Sequence, residues 1–327
     1  MGILTIGIDI SKEKFDVCLE NQDQQQNHKT FMNTQAGFKK LAALFEEHQV
    51  TACLEATGVY GENLCQFLHD QGVRVFLINP AQIKYYAKSM MKRSKTDKID
   101  AAVIMQFIKL HNDRLTPWQP RSAQYNQLQS LYRCLKTFKL DRIRVQGCIE
   151  ACSSTDRAGK SDALQFYEEH MKHLDHQIEK LQAQLEKIIE TCAELKTHYQ
   201  NLQTIPGVGR LSAVGILAEI PDIRGFDHVK QIVAYAGLNP LIKQSGSSVN
   251  GNGHISKQGS KDLRNVLYMS ALVGKNACKV YRPFVDRLKE KGKKPKVIVV
   301  ALMHKILRIV FTILRKGIPF HEATLRA

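Results

Sequence analysis

The stretch that decides the fold is residues 3–20, ILTIGIDISKEKFDVCLE. It opens with a short apolar run, rich in β-branched residues, that carries Asp9 near its end. After SKEK it continues as a second alternating run, FDVCLE. Short runs of this kind, bounded by polar residues, are typical of strands. The stretch therefore predicts a strand, a turn and a second strand.

Two further apolar runs extend this pattern. TACLEA, which carries Glu55, predicts a third buried strand after a helical segment around residues 38–48, and RVFLINP predicts another strand that Pro80 stops. Strands that alternate with helices indicate an α/β domain with at least part of its sheet parallel, where ligands collect at the carboxyl ends of strands. Asp9 and Glu55 both lie at or near such ends.

A second pair of carboxylates lies in residues 88–110, KSMMKRSKTDKIDAAVIMQFIKL. Apolar residues recur there at helical spacing, and Asp97 and Asp100, at positions i and i+3, share one face of the first helical turn. Acidic residues at this position are favoured by the helix dipole, and Thr96 or Asp97 could serve as the N-cap. Helix capping and a chemical role both stay open here.

The composition is that of a folded, basic protein. The 327 residues correspond to about two domains. The chain has 47 Lys and Arg against 31 Asp and Glu, a formal net charge of +16. Over residues 261–316, 15 Lys and Arg stand against three acidic residues, a net of +12. This excess predicts a polyanionic partner.

The densest basic run is RLKEKGKKPK, residues 287–296. It predicts a loop in which Lys293 and Lys294 contact phosphates, or else a solvated basic loop without a ligand.

Secreted and membrane proteins are disfavoured. The eight cysteines include no C-x-x-C pair, which argues against a zinc knuckle and a disulfide framework and favours a reducing cytosol. The N-terminus resembles no secretory signal. Residues 297–314 are apolar, but Lys305 and Arg308 interrupt them and favour a buried amphipathic helix over a membrane span. We therefore expect a cytoplasmic protein.

A heptad pattern occupies the middle of the chain. From Met171 to Leu195, apolar residues recur at spacings of three and four. A sustained seam of this kind predicts a coiled-coil helix, which would join the two halves of the chain and assemble protomers.

Residues 202–220, LQTIPGVGRLSAVGILAEI, have the form helix, tight turn, helix. The segment resembles a helix-hairpin-helix module. In such a module the backbone N–H groups around Gly207 and Gly209 can hold a DNA phosphate without reading sequence. A purely structural helical hairpin is the alternative.

A loop rich in Gly, Ser and Asn follows, SGSSVNGNGHISKQGS at residues 245–260, and leads into a helix from about Ser260. Its glycines allow close backbone approach to a ligand. The positive charges beside it are Lys257, Lys261 and Arg264. The hydroxyl groups clustered in it are Ser245, Ser247 and Ser248. A flexible linker would have a similar composition.

These parts suit phosphoryl transfer assisted by divalent metal ions. Mg²⁺ takes oxygen ligands, and carboxylates that cluster without a metal repel one another. A serine hydroxyl that attacks phosphorus keeps the phosphodiester energy in a covalent link and permits rejoining without ATP. Hydrolysis by water would lose that energy.

Six motifs occur in a fixed order over nearly the whole chain. They are GIDISKEKFDV, LEATGVY, INPAQIKYYAKSMMKRSKTDKIDA, IPGVGRLSAVGILAEI, YAGLNP and SGSSVNGNGHISKQGSKDLRNVLYM. The ordered series resembles the bacterial insertion-sequence transposases of the IS-one-ten and IS-eleven-eleven group, DEDD recombinases related to pilin-gene invertases. One departure is His254, where the family often has an arginine.

The resemblance implies an α/β RuvC-like (ribonuclease H-like) catalytic domain over residues 1–158, a coiled-coil connector over 159–200 and a mainly α-helical transposase domain over 201–327. It implies that an acidic tetrad binds Mg²⁺ or Mn²⁺ and that Ser245 is the catalytic serine. The tetrad is Asp9, Glu55, Asp97 and Asp100. The residues expected to contact nucleic acid are Lys92, Arg93, Lys95, Gly207, Gly209, Lys257, Lys261, Arg264, Lys293 and Lys294.

Family members act on double-stranded donor and target DNA, use a noncoding bridge RNA from the element, and form oligomers in which the acidic site of one subunit meets the serine of another. The leading hypothesis is therefore an RNA-guided, serine-dependent DNA transposase, associated with the bacterial nucleoid. Base pairing would read sequence while the protein's cations hold the backbone. A RuvC-like junction resolvase or an RNA-independent DNA invertase is the enzymatic alternative, and a noncatalytic nucleic-acid scaffold is the alternative outside enzymes.

Overall fold

The chain divides into two compact units, Met1–Pro120 and Arg121–Ala327. The computed structural model describes residues 3–20, 25–45, 48–56, 58–91, 96–155, 162–220, 222–241, 244–245, 249–250 and 254–321. The division between the units falls at Pro120 because the long helix that follows packs with the second unit. The domain ranges expected from the sequence stay predictions.

The first unit is built on a mixed sheet. Its strands are β1 Ile3–Ile10, β2 Lys14–Glu20, β3 Gln26–Met32, β4 Gln49–Glu55 and β5 Arg74–Ile78. Their order across the sheet is β3-β2-β1-β4-β5. The pairs β1–β2 and β2–β3 are antiparallel, whereas β1–β4 and β4–β5 are parallel. The predicted α/β domain with a partly parallel sheet is therefore confirmed.

The edge strand β3 has no counterpart among the predicted elements. Its sequence is QNHKTFM, and its side chains are almost all exposed. A strand at the edge of a sheet, with little apolar surface to bury, lacks the alternation by which the other strands are recognised.

Helices cover both faces of the sheet. They are α1 Gln35–Ala42, α2 Glu62–Asp70, α3 Pro80–Ser89 and α4 Asp97–His111. On one face Ile6 and Ile8 of β1 pack against Phe38 of α1. On the other face Phe76 of β5 packs against Ile104 of α4. The helix predicted around residues 38–48 begins and ends earlier than expected.

The helix α4 lies directly against β1 at Gly7. A Cβ atom added to Gly7 would lie 2.2 Å from the carbonyl oxygen of Ala101 and 2.3 Å from the amide nitrogen of Met105. Real Cβ atoms do not approach backbone this closely, so only glycine fits without a shift of the helix. Gly7 therefore determines how closely α4 packs against the sheet.

The second unit is mainly helical. Its helices are α5 Ala123–Thr155, α6 Asp162–Thr191, α7 Ala193–Gln203, α8 Arg210–Glu219, α9 Val229–Tyr235, α10 Lys261–Ala277, α11 Arg282–Glu290 and α12 Pro295–Lys316. Two short antiparallel pairs join β6 Pro240–Leu241 to β9 His254–Ile255 and β7 Gln244–Ser245 to β8 Val249–Asn250. The predicted helical second half is confirmed.

The heptad seam of α6 is buried inside the chain. Met171 and Leu174 pack with Val145 of α5, and further along the seam Leu181 joins the main core together with Leu135 of α5. Among the described residues, the seam is thus covered by the neighbouring helix of the same chain. Assembly of protomers stays a proposal.

Two arginines, Arg121 and Arg133, contact the end of helix α8. Glu219 is 2 % exposed and accepts hydrogen bonds from Nε and Nη2 of Arg133, both at 3.1 Å. Arg121 donates to the carbonyl oxygens of Leu217 and Ala218 at 3.3 Å, as well as to that of Ile220. The last carbonyls of a helix lack partners within the helix, so Arg121 supplies the missing donors.

The C-terminal apolar run forms the buried helix α12. Among the described residues, it is the one helix whose length and composition would allow it to cross a membrane, but 56 % of its apolar window is buried in the protein. Leu302, Ile306 and Val310 are fully buried in the core of the second unit. The predicted buried amphipathic helix is confirmed.

The basic run before α12 is only partly a loop. The helix α11 extends to Glu290 and α12 begins at Pro295, so the connecting segment is residues 291–294. The prediction of a loop over residues 287–296 was too long because the first half of the run continues the amphipathic helix α11. Lys293 and Lys294 are exposed, as expected.

Replacing Gly7 by alanine should destabilise the first unit. The new methyl group forces α4 away from β1, and overpacking of this kind costs about 1–3 kcal/mol. Urea denaturation of the purified chain measures the loss. Gly61→Ala is the control, since its Cβ would make ordinary contacts of 3.7 Å with Ile10 and 3.9 Å with Leu54. Equal stability of Gly7→Ala and the unsubstituted protein would show that the approach is not tight.

Candidate functional site

Two strand ends bring the first two acidic residues together. Ile8 of β1 is in register with Leu54 of β4 in a parallel pair. Asp9 and Glu55 follow these paired residues directly, so they are neighbours at the carboxyl ends of adjacent strands. Both are half-buried. Paired residues of neighbouring strands share a face of the sheet, and here it is the face that α4 covers.

A third acidic residue, Asp16, faces Asp9 across the β1–β2 hairpin. The two residues are direct partners in the antiparallel register. Asp16 is 6 % exposed, and its Oδ1 accepts a hydrogen bond from Oγ1 of Thr30 at 2.5 Å. Asp16 was not among the predicted site residues, although a turn over residues 11–14 pairs residue 9 with residue 16 in a simple hairpin.

The first turn of α4 supplies the other two carboxylates. Asp97 and Asp100 both lie in this turn, and the N-cap is Thr96, whose Oγ1 accepts a hydrogen bond from the amide of Ile99 at 3.3 Å. Of the two candidates for the N-cap, Thr96 rather than Asp97 therefore caps the helix. Gly7 and Asp9 are two residues apart on β1, so the helix that Gly7 admits lies on the face where Asp9 points.

The carboxylates are close enough to disturb one another. The pKa of Asp9 is raised from 3.8 to about 6, first by burial and then by the negative charges of nearby carboxylates. In order of effect, those carboxylates are Asp100, Asp97, Glu55 and Asp16. The structure thus brings the other three sequence-predicted acidic residues, together with Asp16, around Asp9. Carboxylates gathered in this way repel one another while they are ionised.

The side chain of Lys14 lies beside the cluster. Nζ of Lys14 is 2.9 Å from Oδ2 of Asp97 and 3.5 Å from Oδ2 of Asp16. The hydrogen bond to Asp97 is the largest cause of the raised pKa of Lys14, followed by the negative charge of Asp16. Lys14 was not among the predicted site residues.

The donor set fits a hard divalent cation. Carboxylate oxygens are the ligands that Mg²⁺ and Mn²⁺ prefer, and uncompensated negative charge favours a bound cation. In the described parts of the chain, no three acidic, His or Cys side chains are already spaced to hold an ion together. Binding of a metal therefore requires the side chains of the cluster, Asp97 with its bond to Lys14 included, to rearrange.

The predicted catalytic serine lies in the second unit. Ser245 is in β7, where its backbone pairs with Val249 of β8. Its side chain, like residues 246–248 with Ser247 and Ser248, lies outside what the structure describes.

The predicted basic residues fall into distinct settings. Lys92, Arg93 and Lys95 lie outside the described residues. Lys261, at the start of α10, is exposed. Arg264 instead faces the backbone, donating to the carbonyl oxygens of Ala236 at 2.9 Å and Gly259 at 3.1 Å.

Lys257 has a left-handed backbone, with φ of 55°, and its amide donates to the carbonyl oxygen of Gly237 at 3.1 Å. This conformation is uncommon for a residue with a side chain. The exposed side chain of Lys257 stays available for a ligand while its backbone closes the loop before α10.

The two glycines of the tight turn have different surroundings. Gly207 has a φ of +89°, and a Cβ there would lie 2.6 Å from the carbonyl oxygen of Ser270, so this glycine packs the turn onto α10. Gly209 is the N-cap of α8, has no side-chain cap and faces open space. Exposed amides at the N-terminus of α8 are thus available near Gly209 rather than Gly207.

Comparisons with known proteins agree along the whole chain. Residues 6–152 match a DEDD family described as Transposase, and residues 199–285 match the Transposase IS116/IS110/IS902 family. The pilin gene-inverting protein of Moraxella bovis is 34 % identical over 97 % of both chains. The transposase for insertion sequence element IS1111A of Coxiella burnetii is 24 % identical over 82 % of this chain and 77 % of its own. The chain belongs to the IS110/IS116/IS902 family of transposases.

Proposed function

We propose that this protein is a DNA transposase that cuts and rejoins strands with divalent metal ions and a serine nucleophile. The observation that supports it most is the gathering of carboxylates from β1, β4 and α4 around Asp9, whose pKa they help to raise to about 6. Such a charge cluster is costly to fold and is typical of sites that bind cations.

In this mechanism Asp9, Glu55, Asp97 and Asp100 hold Mg²⁺ or Mn²⁺. The bound ions would neutralise a DNA phosphate and stabilise its attacking and leaving oxygens. The sheet and α4 fix the backbone positions from which the carboxylates extend, because both elements pack into the apolar core. The RuvC-like assignment of this unit comes from the family resemblance, and carboxylates at strand ends and at the start of α4 are compatible with it.

Ser245 is the proposed nucleophile. Its Oγ attacks the phosphorus, loses its proton and forms a phosphodiester with one DNA end, while the other end leaves as a hydroxyl that takes up a proton. The covalent link keeps the energy of the broken bond. Attack by the hydroxyl of another strand then releases the serine and completes the exchange. The acidic site of one subunit and Ser245 of another would meet in an oligomer.

The nucleic-acid partners follow from the charge. A net +16, with exposed Lys261, Lys293 and Lys294 in the second unit, suits contacts to the phosphate backbones of donor and target DNA. Backbone contacts carry no sequence information, so a noncoding bridge RNA, suggested by the family resemblance, would supply recognition by base pairing. The site of action is then the bacterial nucleoid in the cytoplasm.

Site-specific DNA inversion is the second candidate. It is favoured by the 34 % identity, over 97 % of both chains, to a pilin gene-inverting protein. Both reactions use the same carboxylates and serine, and dependence on an RNA separates an RNA-guided transposase from an RNA-independent invertase or junction resolvase. A noncatalytic scaffold would bind nucleic acid without cutting it.

Asp9→Asn should abolish strand cleavage in Mg²⁺ and leave nucleic-acid binding intact. It removes one ligand and relieves repulsion, so thermal unfolding in EDTA should occur at the same or a higher temperature, while the stabilisation by added Mg²⁺ should shrink. A cleavage assay on labelled element ends measures the first effect, and melting curves with and without Mg²⁺ measure the second. Asp113→Asn is the control, because this exposed carboxylate lies beyond the far end of α4. Retained cleavage by Asp9→Asn would refute the metal site.

Ser245→Ala should remove the covalent protein–DNA adduct. Without the hydroxyl no phosphoserine bond can form, although binding of DNA needs no such bond. Labelled DNA that migrates with the protein on a denaturing gel reveals the adduct. If the adduct persists in Ser245→Ala, Ser247 or Ser248 becomes the nucleophile and the assignment of Ser245 is wrong.

Replacing Lys293 and Lys294 by glutamine should weaken DNA binding and flatten its salt dependence. Each phosphate contact that is lost lowers the slope of log affinity against log salt by roughly 0.9 for a duplex. Fluorescence anisotropy at several salt concentrations measures the slope. The same double substitution at the exposed Lys39 and Lys40 of α1 is the control. An unchanged slope would make the loop a solvated surface.

A further inference from the structure

Lys14 is held in a fixed place beside the acidic cluster. It begins β2, and the turn before it is closed by the amide of Ser11, which donates to the carbonyl oxygen of Lys14 at 2.9 Å, and by Oγ of Ser11, which donates to the same oxygen at 2.7 Å. Lys14 and Asp16 are two residues apart on β2 and share the face that Asp9 occupies. The lysine therefore reaches the cluster from the strand.

The Lys14 ammonium connects two elements that supply the site. It lies 2.9 Å from Asp97 on α4 and 3.5 Å from Asp16 on β2. A carboxylate oxygen that accepts from an ammonium at this distance cannot bring the same lone pair to a metal ion at about 2.0–2.1 Å. Two cations side by side would also repel each other. The ammonium and a divalent ion thus compete for Oδ2 of Asp97, and each lowers the affinity of the carboxylate for the other through their mutual repulsion.

We infer that Lys14 is a positioning residue that serves as a cation of the acidic site before a divalent ion binds, and that the ion displaces it from Oδ2 of Asp97. This inference rests on the proposed metal site and adds a competing group to it. Before metal binds, the ion pair holds the first turn of α4 against the hairpin and offsets part of the carboxylate repulsion. Its release frees Asp97 to become a ligand and leaves an ammonium beside the position of the DNA phosphate.

A purely structural ion pair makes the opposite prediction. If Lys14 only holds α4 in place, its loss loosens the carboxylates, and the affinity for metal falls or stays the same. If Lys14 competes with the ion, its loss removes a competitor, and the affinity rises. The direction of the change in metal affinity therefore separates the two roles.

The first experiment titrates the full chain with Mn²⁺ and follows free ion by electron paramagnetic resonance. Lys14→Gln should bind Mn²⁺ about tenfold more tightly than the unsubstituted protein, within the range of ordinary coupling between ligands. Lys12→Gln is the matched control, since it removes the same charge from the same turn, and Lys12 forms no ion pair within the described residues. It should change the affinity less than twofold. Equal or weaker binding by Lys14→Gln would overturn the inference.

Asp9→Asn separates failure of this inference from failure of the metal site. If the unsubstituted protein binds Mn²⁺ no better than Asp9→Asn does, the proposed metal site is wrong and the role of Lys14 fails with it. If Asp9→Asn abolishes binding but Lys14→Gln does not tighten it, only the role of Lys14 is wrong.

A second experiment needs no substitution. Acylation of lysine amines by a small reagent, read by mass spectrometry, reports how freely each ammonium can lose its proton and react. Adding Mg²⁺ should raise the labelling rate of Lys14 several-fold and leave that of Lys12 unchanged. A rate at Lys14 that stays the same or falls with Mg²⁺ would show that the ion does not displace the lysine.

Discussion

The close approach of α4 to β1 at Gly7 is the constraint on which the acidic site depends. A side chain there would meet Ala101 and Met105 at distances that no Cβ tolerates. Because Gly7 lets the helix settle on the sheet, the first turn of α4 comes level with the end of β1, and Asp97 and Asp100 come within electrostatic reach of Asp9. A packing requirement in the interior of the unit thus determines the geometry of its charged edge.

That geometry opposes folding. Burial and neighbouring carboxylates raise the pKa of Asp9, which means that gathering these charges is unfavourable while they are ionised. The apolar clusters on both faces of the sheet supply the favourable free energy, and the Lys14 ammonium offsets part of the repulsion. Sites that must bind cations commonly retain such uncompensated charge, because the ligand then supplies the missing counterion.

The sequence predicts those parts of the site that follow from strand ends and helix starts. Asp9 and Glu55 end apolar runs, and Asp97 and Asp100 open a helical one, so their placement needs only local patterns. Asp16 and Lys14 require the register of the hairpin, and the role of Gly7 requires the height of a helix above a sheet. The register follows from a turn over residues 11–14 once the hairpin is assumed, whereas the distance between helix and sheet is not visible in a local pattern. The heptad seam shows the same limit: its buried residues were predictable, whereas the partner that covers them, a helix of the same chain, was not.

Anomalous X-ray scattering from crystals grown with Mn²⁺ tests the central claim most directly. The account predicts manganese peaks within bonding distance of carboxylate oxygens of Asp9 and of at least two of Glu55, Asp97 and Asp100, with the side chains rearranged from their metal-free positions. Saturating Mn²⁺ without any peak at this edge of the sheet, in crystals of a protein that still cleaves DNA, would contradict it.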